Sequence, residues 1–216
     1  MIKYNDLIGK FISFEGGEGS GKSTQLKMLS AAFEAAKLPF ISTREPGGTP
    51  SAERIRGLLV SGAVDAWGAL AETLLFQAAR AEHIEKLIIP ALTTGKTVIC
   101  DRFVDSTIVY QGIGKGLGVE YIKNLHQMVF GDFMPKLTIL LDIDPSEGLA
   151  RAGARNGDEN RFERLDISFH KKIRAGFLEI AKNEPQRCVV LDAGQSVDEL
   201  HKKIIGTIHE RIGVFL

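Results

Sequence analysis

Residues 16–24, Gly16-Gly17-Glu18-Gly19-Ser20-Gly21-Lys22-Ser23-Thr24, match the spacing G-x-x-x-x-G-K-[ST]. Around such a loop successive backbone N–H groups converge on phosphate oxygens, and a helix opening at its end adds partial positive charge. Lys22 is then placed to reach the β- and γ-phosphates and Ser23 to ligate Mg²⁺. A nucleoside triphosphate is the expected ligand. Two carboxylates stand against that chemistry and need a reason: Glu15 at the mouth of the loop and Glu18 within it.

Three further groupings carry polar chemistry. "DRFVDSTIVYQG" begins with Asp101 and Arg102 and continues through Asp105, Ser106, Tyr110 and Gln111. Arg102 suits a phosphate and Asp101 suits Mg²⁺, directly or through water. Asp142 and Asp144 in "LTILLDID" compete for the acidic role, and Asp101 is preferred because its neighbour is basic and polar groups follow it. "REPGGT" packs Arg44, a rigid turn and two glycines into six residues, which alone is also an ordinary turn. Phe76 and Arg80 are four apart and share a helix face, an arrangement that suits a nucleobase: the ring stacks and the guanidinium donates to a carbonyl. Taken alone, the pair reads more simply as a core phenylalanine beside a surface arginine.

The elements that must position these residues follow from the pattern. Short apolar runs, "KFISFE", "PFIST", "TVICD", "KLTILLDI" and "RCVVLDA", alternate with helical periodicity. This predicts an α/β fold with a mainly parallel sheet covered on both faces. In such sheets ligands collect at the carboxyl ends of strands, where the glycine loop and Asp101-Arg102 both fall. Helices are expected over 20–37, 67–94 and 197–212, the last with Val197, Leu200, Ile204, Ile205, Ile208 and Ile212 on one face. Thr49 should cap a helix that has Pro50 in its first turn. The polar, arginine-rich segment 151–164 reads as a surface flap.

Composition narrows the class. The chain has 216 residues, 44% of them hydrophobic, which suits one compact domain over 1–216. Lys plus Arg number 27 and so do Asp plus Glu, which argues against a binder of polymeric nucleic acid. Cys100 and Cys188 lie in apolar strand-like runs, so they read as buried thiols of a cytoplasmic protein. No stretch approaches the ~20 apolar residues of a membrane helix, and the start lacks a signal-peptide pattern.

Together "FEGGEGSGKST", "REPGGT", "LLFQAARAEH", "DRFVDSTIVYQG", "LDIDPSEGLAR" and "ARNGDENRFE" resemble, in order and over nearly the whole chain, the thymidylate kinase family. The resemblance implies a P-loop kinase fold, a five-stranded parallel sheet flanked by helices, with a small lid over about 151–164. It implies transfer of the γ-phosphate of ATP to dTMP, giving dTDP and ADP for dTTP synthesis, with Mg²⁺ and usually as a homodimer. By the same resemblance Glu18 faces the acceptor's sugar hydroxyl, Phe76 stacks on thymine and Arg80 donates to a thymine carbonyl. Gln111 partners the base or a bridging water, Ser106 is a polar contact near the base, and Tyr110 crowds the sugar. Arg44 and Arg102 hold the acceptor phosphate. Glu15 matches the family's strand-end acid, with no role assigned.

Some members of that family carry a catalytic arginine inside the phosphate loop, where this chain has Gly19 and Ser20. The missing charge is expected from the flap, first from Arg155, then from Arg151, with Arg161 also available. Lys22, Arg102 and Arg155 are thus the expected catalytic residues. No general base is needed, because a phosphate monoester is mostly dianionic at neutral pH. His83 accordingly reads as packing or surface. The rival readings are another nucleotide kinase on the same sheet and a regulatory P-loop switch.

Overall fold

The computed structural model describes residues 10–153 and 161–216. Five parallel strands form one sheet: β1 (Phe11–Glu15), β2 (Phe40–Arg44), β3 (Thr97–Asp101), β4 (Leu137–Asp142) and β5 (Cys188–Asp192), in the spatial order β2-β3-β1-β4-β5. β1 is fully buried at the centre, and the chain order reverses between β3 and β4 on either side of it. That reversal opens a crevice beyond the carboxyl ends of the strands, into which the glycine loop emerges.

Strand alternation sorts side chains between two cores. Phe11 of β1, Val98 and Cys100 of β3 and Leu140 of β4 face one core with Phe103, Val109, Ile173 and Phe177. Ile12 and Phe14, Ile99, and Leu137, Ile139 and Leu141 face the other, packed against α1 (Lys22–Ala35) and α9 (Val197–Ile212). The same parity decides where the polar strand ends point. Glu15 follows Phe11 and Ser13 to the first face. Asp101 follows Ile99 to the face of α1. Asp142 follows Leu140 to the first face, against α8 (Ile167–Asn183).

The other helices are α2 (Pro50–Val60), α3 (Ala69–His83), α4 (Ile89–Thr93), α5 (Val104–Thr107), α6 (Val119–Phe130) and α7 (Pro145–Gly153). Thr49 caps α2, accepting from the Ala52 amide at 3.3 Å, with Pro50 at its first position. The segment read as one helix over 67–94 is continuous from α3 to α4 but widens to a π-turn at Ile84–Ile88. Pro90 gives the reason. It lacks an N–H and its ring crowds the preceding turn, and a widened turn just upstream relieves both. A second π-turn, Ile108–Gly114, carries Tyr110 and Gln111. Cys100 and Cys188 are both buried and free. Among the described residues no helix is long and apolar enough to cross a membrane.

Candidate active site

The glycine loop joins β1 to α1 with Gly21 in the left-handed region (φ 90°) and no side chain capping the helix. The first N–H groups of α1 thus meet no capping side chain from Gly21, and helix N-termini of this kind bind anions. Gly19 is also left-handed (φ 69°), and a β-carbon there would run into the backbone carbonyl of Gly148 in α7. Lys22 folds back over the loop and donates to the Gly16 and Gly17 carbonyls at 3.1 and 2.9 Å and to Ser20 Oγ at 3.3 Å. Burial, reinforced by the Arg102 charge, pulls its ammonium down to about 8 despite Glu18 and Asp101 nearby.

Two clefts meet at this loop. The first is polar and is lined by Gly19 to Thr24, Arg44, Asp101 and Arg102. It continues past Thr24 toward Arg151, Gln195 and Leu200. The second is more apolar and is lined by Phe76, Arg80, Ser106, Tyr110, Gln111 and Phe162. Glu18, Glu45, Arg56, Arg102 and Glu163 line both.

Arg102 is the hinge between them. It is a non-glycine residue at φ 68°, a conformation that costs energy unless its surroundings fix it. Its amide donates to the Phe14 carbonyl at 2.9 Å. Its guanidinium donates to the Gly16 carbonyl, Ser106 Oγ, Glu18 Oε1 and the Tyr110 hydroxyl. Tyr110 in turn donates to Glu18 Oε1 at 2.8 Å. Glu18 is thus turned away from the loop amides and toward the second cleft. Ser106 is committed to Arg102 and to Glu15, to which it donates at 2.6 Å.

Glu15 is fully buried and also accepts the Phe103 amide at 2.8 Å and the Ser106 amide at 3.4 Å. It caps the short helix α5, whose first turn has no cap of its own. Burial, then the charge of Asp105, raises its carboxyl to about 7, against the pull of Arg102 and of its hydrogen bonds.

Arg80 is not at the surface. It is almost completely buried, donating to Glu45 at 2.8 Å, Gln77 at 3.0 Å and Thr107 at 2.9 Å, with its guanidinium over the Phe103 ring. Glu45 also meets His83, a buried residue whose Nε2 lies 2.7 Å from Thr43 Oγ1. His83 is therefore a packing residue. Phe76 is half-buried, its ring centroid 6.4 Å from that of Phe162. Arg44 is exposed and pairs with Glu53 at 2.9 Å.

For a metal, Ser23 Oγ lies 3.5 Å from Asp101 Oδ2, while the buried Asp101 Oδ1 has no hydrogen-bond partner among the described residues. Asp142 is instead held by Arg174 at 2.7 and 2.9 Å on the opposite face of the sheet. Among the described residues no cluster of three or more metal-ligating side chains exists. The Ser23 and Asp101 oxygens are hard donors of the kind Mg²⁺ takes, one or two from protein with phosphate and water completing its shell.

The flap is only partly a separate element. Arg151 belongs to the last turn of α7, donating to the Ala193 carbonyl at 3.0 Å and pairing with Glu147. Arg161 is almost completely buried. It donates to the carbonyls of Leu59, Ala63 and Val64, each at 2.9 Å, and pairs with Glu72 at 2.6 Å, so it is committed to the fold. Arg155 lies outside the described residues. Residues that the sequence did not single out are Glu45, Arg56, Phe162 and Glu163. Phe162 follows Arg161, and its aromatic type beside the arginines of "NRFER" was the available signal.

A parallel five-stranded sheet with this strand order, a glycine loop feeding α1 and a second cleft abutting the loop define a P-loop kinase. The thymidylate kinase family model matches residues 14–204, and the chain belongs to that family. It is 50% identical over 206 residues to a thymidylate kinase of Caulobacter vibrioides, covering 95% of this chain and 99% of the relative. It is 50% identical over 191 residues to a thymidylate kinase of Magnetococcus marinus, covering 88% and 91% of the two chains. A crystal structure of thymidylate kinase from Ehrlichia chaffeensis superposes with a TM-score of 0.76 at 36% identity, covering 92% of this chain and 97% of that one. The activity is ATP-dependent phosphorylation of dTMP to dTDP.

Proposed function

We propose that the polar cleft takes the triphosphate of ATP and the apolar cleft takes dTMP, with Arg102 where the two phosphate groups meet. The observation that carries this assignment is the single contact chain from the glycine loop through Arg102 and Glu18 to Tyr110. Phe76 stacks on the base, Arg80 and Gln111 meet its polar edge, and Tyr110 and Glu18 meet the sugar. Arg44 and Arg102 hold the acceptor phosphate. Thr24 and Arg151 border the nucleoside side of ATP.

In the reaction an oxygen of the acceptor phosphate attacks the γ-phosphorus, the bond to the β-phosphate oxygen breaks, and ADP leaves. The acceptor is already a dianion, so no residue has to remove a proton. What the chain supplies is positioning and positive charge between two anions. Lys22 and Arg102 supply it from the loop side and Arg155 from the lid. Ser23 and Asp101 would hold Mg²⁺, which when bound neutralises charge on the β- and γ-phosphates. Closure of the lid would exclude water as a competing acceptor.

A homodimer is part of this reading. It is supported by exposed apolar side chains at Leu70 and Leu74 of α3 and at Tyr121, Met128 and Val129 of α6, and sedimentation would test it.

The experiment is Mg²⁺–ATP consumption with thymidine, deoxyuridine, cytidine, adenosine and guanosine monophosphates and a no-acceptor control, with products identified. Preference for the thymidine form supports the pocket assignment. Preference for another monophosphate overturns the base pocket and leaves the phosphate chemistry. Turnover indifferent to acceptor would favour the switch reading.

A further inference from the structure

Glu72 of α3 is fully buried and does not line either cleft, yet three side chains from two other segments converge on it. Arg161 lies 2.6 Å from Oε2 and Lys115 lies 2.8 Å from the same oxygen. Gln111 donates Nε2–H to Oε1 at 2.8 Å. A carboxylate between two cations only accepts hydrogen bonds. The amide of Gln111 therefore has no choice of orientation. Its nitrogen must face Glu72, and its carbonyl oxygen is left for the cleft that Gln111 lines.

That orientation has a chemical meaning for a pyrimidine. Thymine presents an N3–H donor between two carbonyl oxygens, and cytosine presents a bare N3 acceptor in the same place. A carbonyl oxygen fixed in the cleft matches the first and opposes the second. Arg80, which can only donate, matches a thymine carbonyl on the same edge. We propose that Glu72 is a specificity-positioning residue: by fixing the hydrogen-bonding sense of Gln111 it makes the cleft select thymine over cytosine. This rests on the assignment of the second cleft to dTMP. Arg161 and Lys115 hold the carboxylate in place.

The test compares dTMP and dCMP as acceptors and as ligands in the full-length protein. Glu72→Gln offers an amide that can either donate or accept, so Gln111 is free to turn its nitrogen into the cleft. The expected result is a dTMP-over-dCMP preference in kcat/KM and Kd that falls roughly tenfold, with KM for ATP unchanged; loss of one hydrogen bond in a buried site is of that size. A role confined to stability would lower the melting temperature and leave the ratio alone, and that result overturns the proposal. Gln111→Leu keeps Glu72 paired with Arg161 and Lys115, so it tests the same claim if Glu72→Gln does not fold. It should lose the preference to the same extent, and an unchanged ratio overturns the proposal equally. In the double variant the two effects should not add. If the unaltered protein itself fails to prefer dTMP, the pocket assignment falls, and the proposal with it. If it prefers dTMP while both variants keep the ratio, only the role of Glu72 falls.

Discussion

Arg102 Nη2 and Glu18 Oε1 are 2.9 Å apart where the two clefts meet, so the carboxylate carries its counter-ion within the site. Burial alone would raise the Glu18 carboxyl. The charges of Arg102 and Lys22 and the Tyr110 hydroxyl overcome it and hold the group at about 2. Glu18 is therefore ionised throughout the working range, a strong acceptor for a sugar hydroxyl. Glu18→Gln should raise KM for dTMP about tenfold, the scale of one charge-assisted hydrogen bond, and change KM for ATP little. A 3′-deoxy acceptor should be indifferent to the substitution. Equal losses for both acceptors would show that Glu18 acts through Arg102 alone.

Lys22 gives a pH signature for ATP binding. Its ammonium is pulled to about 8 in the free protein, first by burial and then by Arg102, and a triphosphate alongside would restore it. The unbound group loses its proton as pH rises through about 8, so ATP affinity should fall between pH 7 and 9. Binding at pH 8 should take up part of a proton, measurable by titration calorimetry in two buffers of different ionisation heat. Buffer-independent heats would mean that Lys22 is not at the phosphates.

The strand-end acid Glu15 gives a signature in stability. Its folded pKa, about 7, lies above the ordinary carboxylate value because burial and Asp105 outweigh Arg102, Ser106 and the Phe103 amide. The folded state thus binds more protons than the unfolded state between about pH 4.5 and 7. Its contribution is fully present below that window and is lost as pH rises through it. The stability of the unaltered protein relative to Glu15→Gln should be greater at pH 5 than at pH 8, read from urea unfolding midpoints. A difference independent of pH would place the proton elsewhere.

Much of this arrangement was legible in the chain because strands impose a parity. The glycine loop and the five strands follow from local pattern. Asp101 then meets Ser23 because it shares a face with Ile99, and Asp142 meets Arg174 because it shares one with Leu140. Parity does not say which distant side chain waits on that face. The burial of Arg80 against Glu45 spans 35 positions and that of Arg161 against the 59–64 carbonyls about 100, and no local signal marks either. The π-turn at Ile108–Gly114 also breaks the helical period through which Tyr110 and Gln111 would have been placed.

Phe76 is half-buried and lines the second cleft, its ring centroid 6.4 Å from that of Phe162. Phe76→Ala removes the stacking surface, and stacking on a base is worth about 1–3 kcal/mol. KM for dTMP should rise roughly five- to 150-fold with kcat much less affected. Unchanged acceptor KM and selectivity would remove Phe76 from the site.

Two arginines of the segment 151–164 should fail in opposite ways. Arg161 is buried, donates to three carbonyls of the 59–64 loop and pairs with Glu72. Removing it takes one of two cations from the buried Glu72, which keeps Lys115, and leaves three loop carbonyls without their donor, so Arg161→Ala should cost about 3–5 kcal/mol of stability, measured by chemical denaturation. Arg155 is proposed instead to supply charge at the transferring phosphoryl group, where the loop offers only Gly19 and Ser20. Arg155→Ala should lower kcat ~10²-fold, about 2.7 kcal/mol of transition-state stabilisation, while the denaturation midpoint stays put. The two readouts separate the roles cleanly. Unchanged turnover in Arg155→Ala would remove it from the reaction, and the positive charge would then have to come from Arg151, which already lies beside the Glu147 carboxylate and would have to leave it.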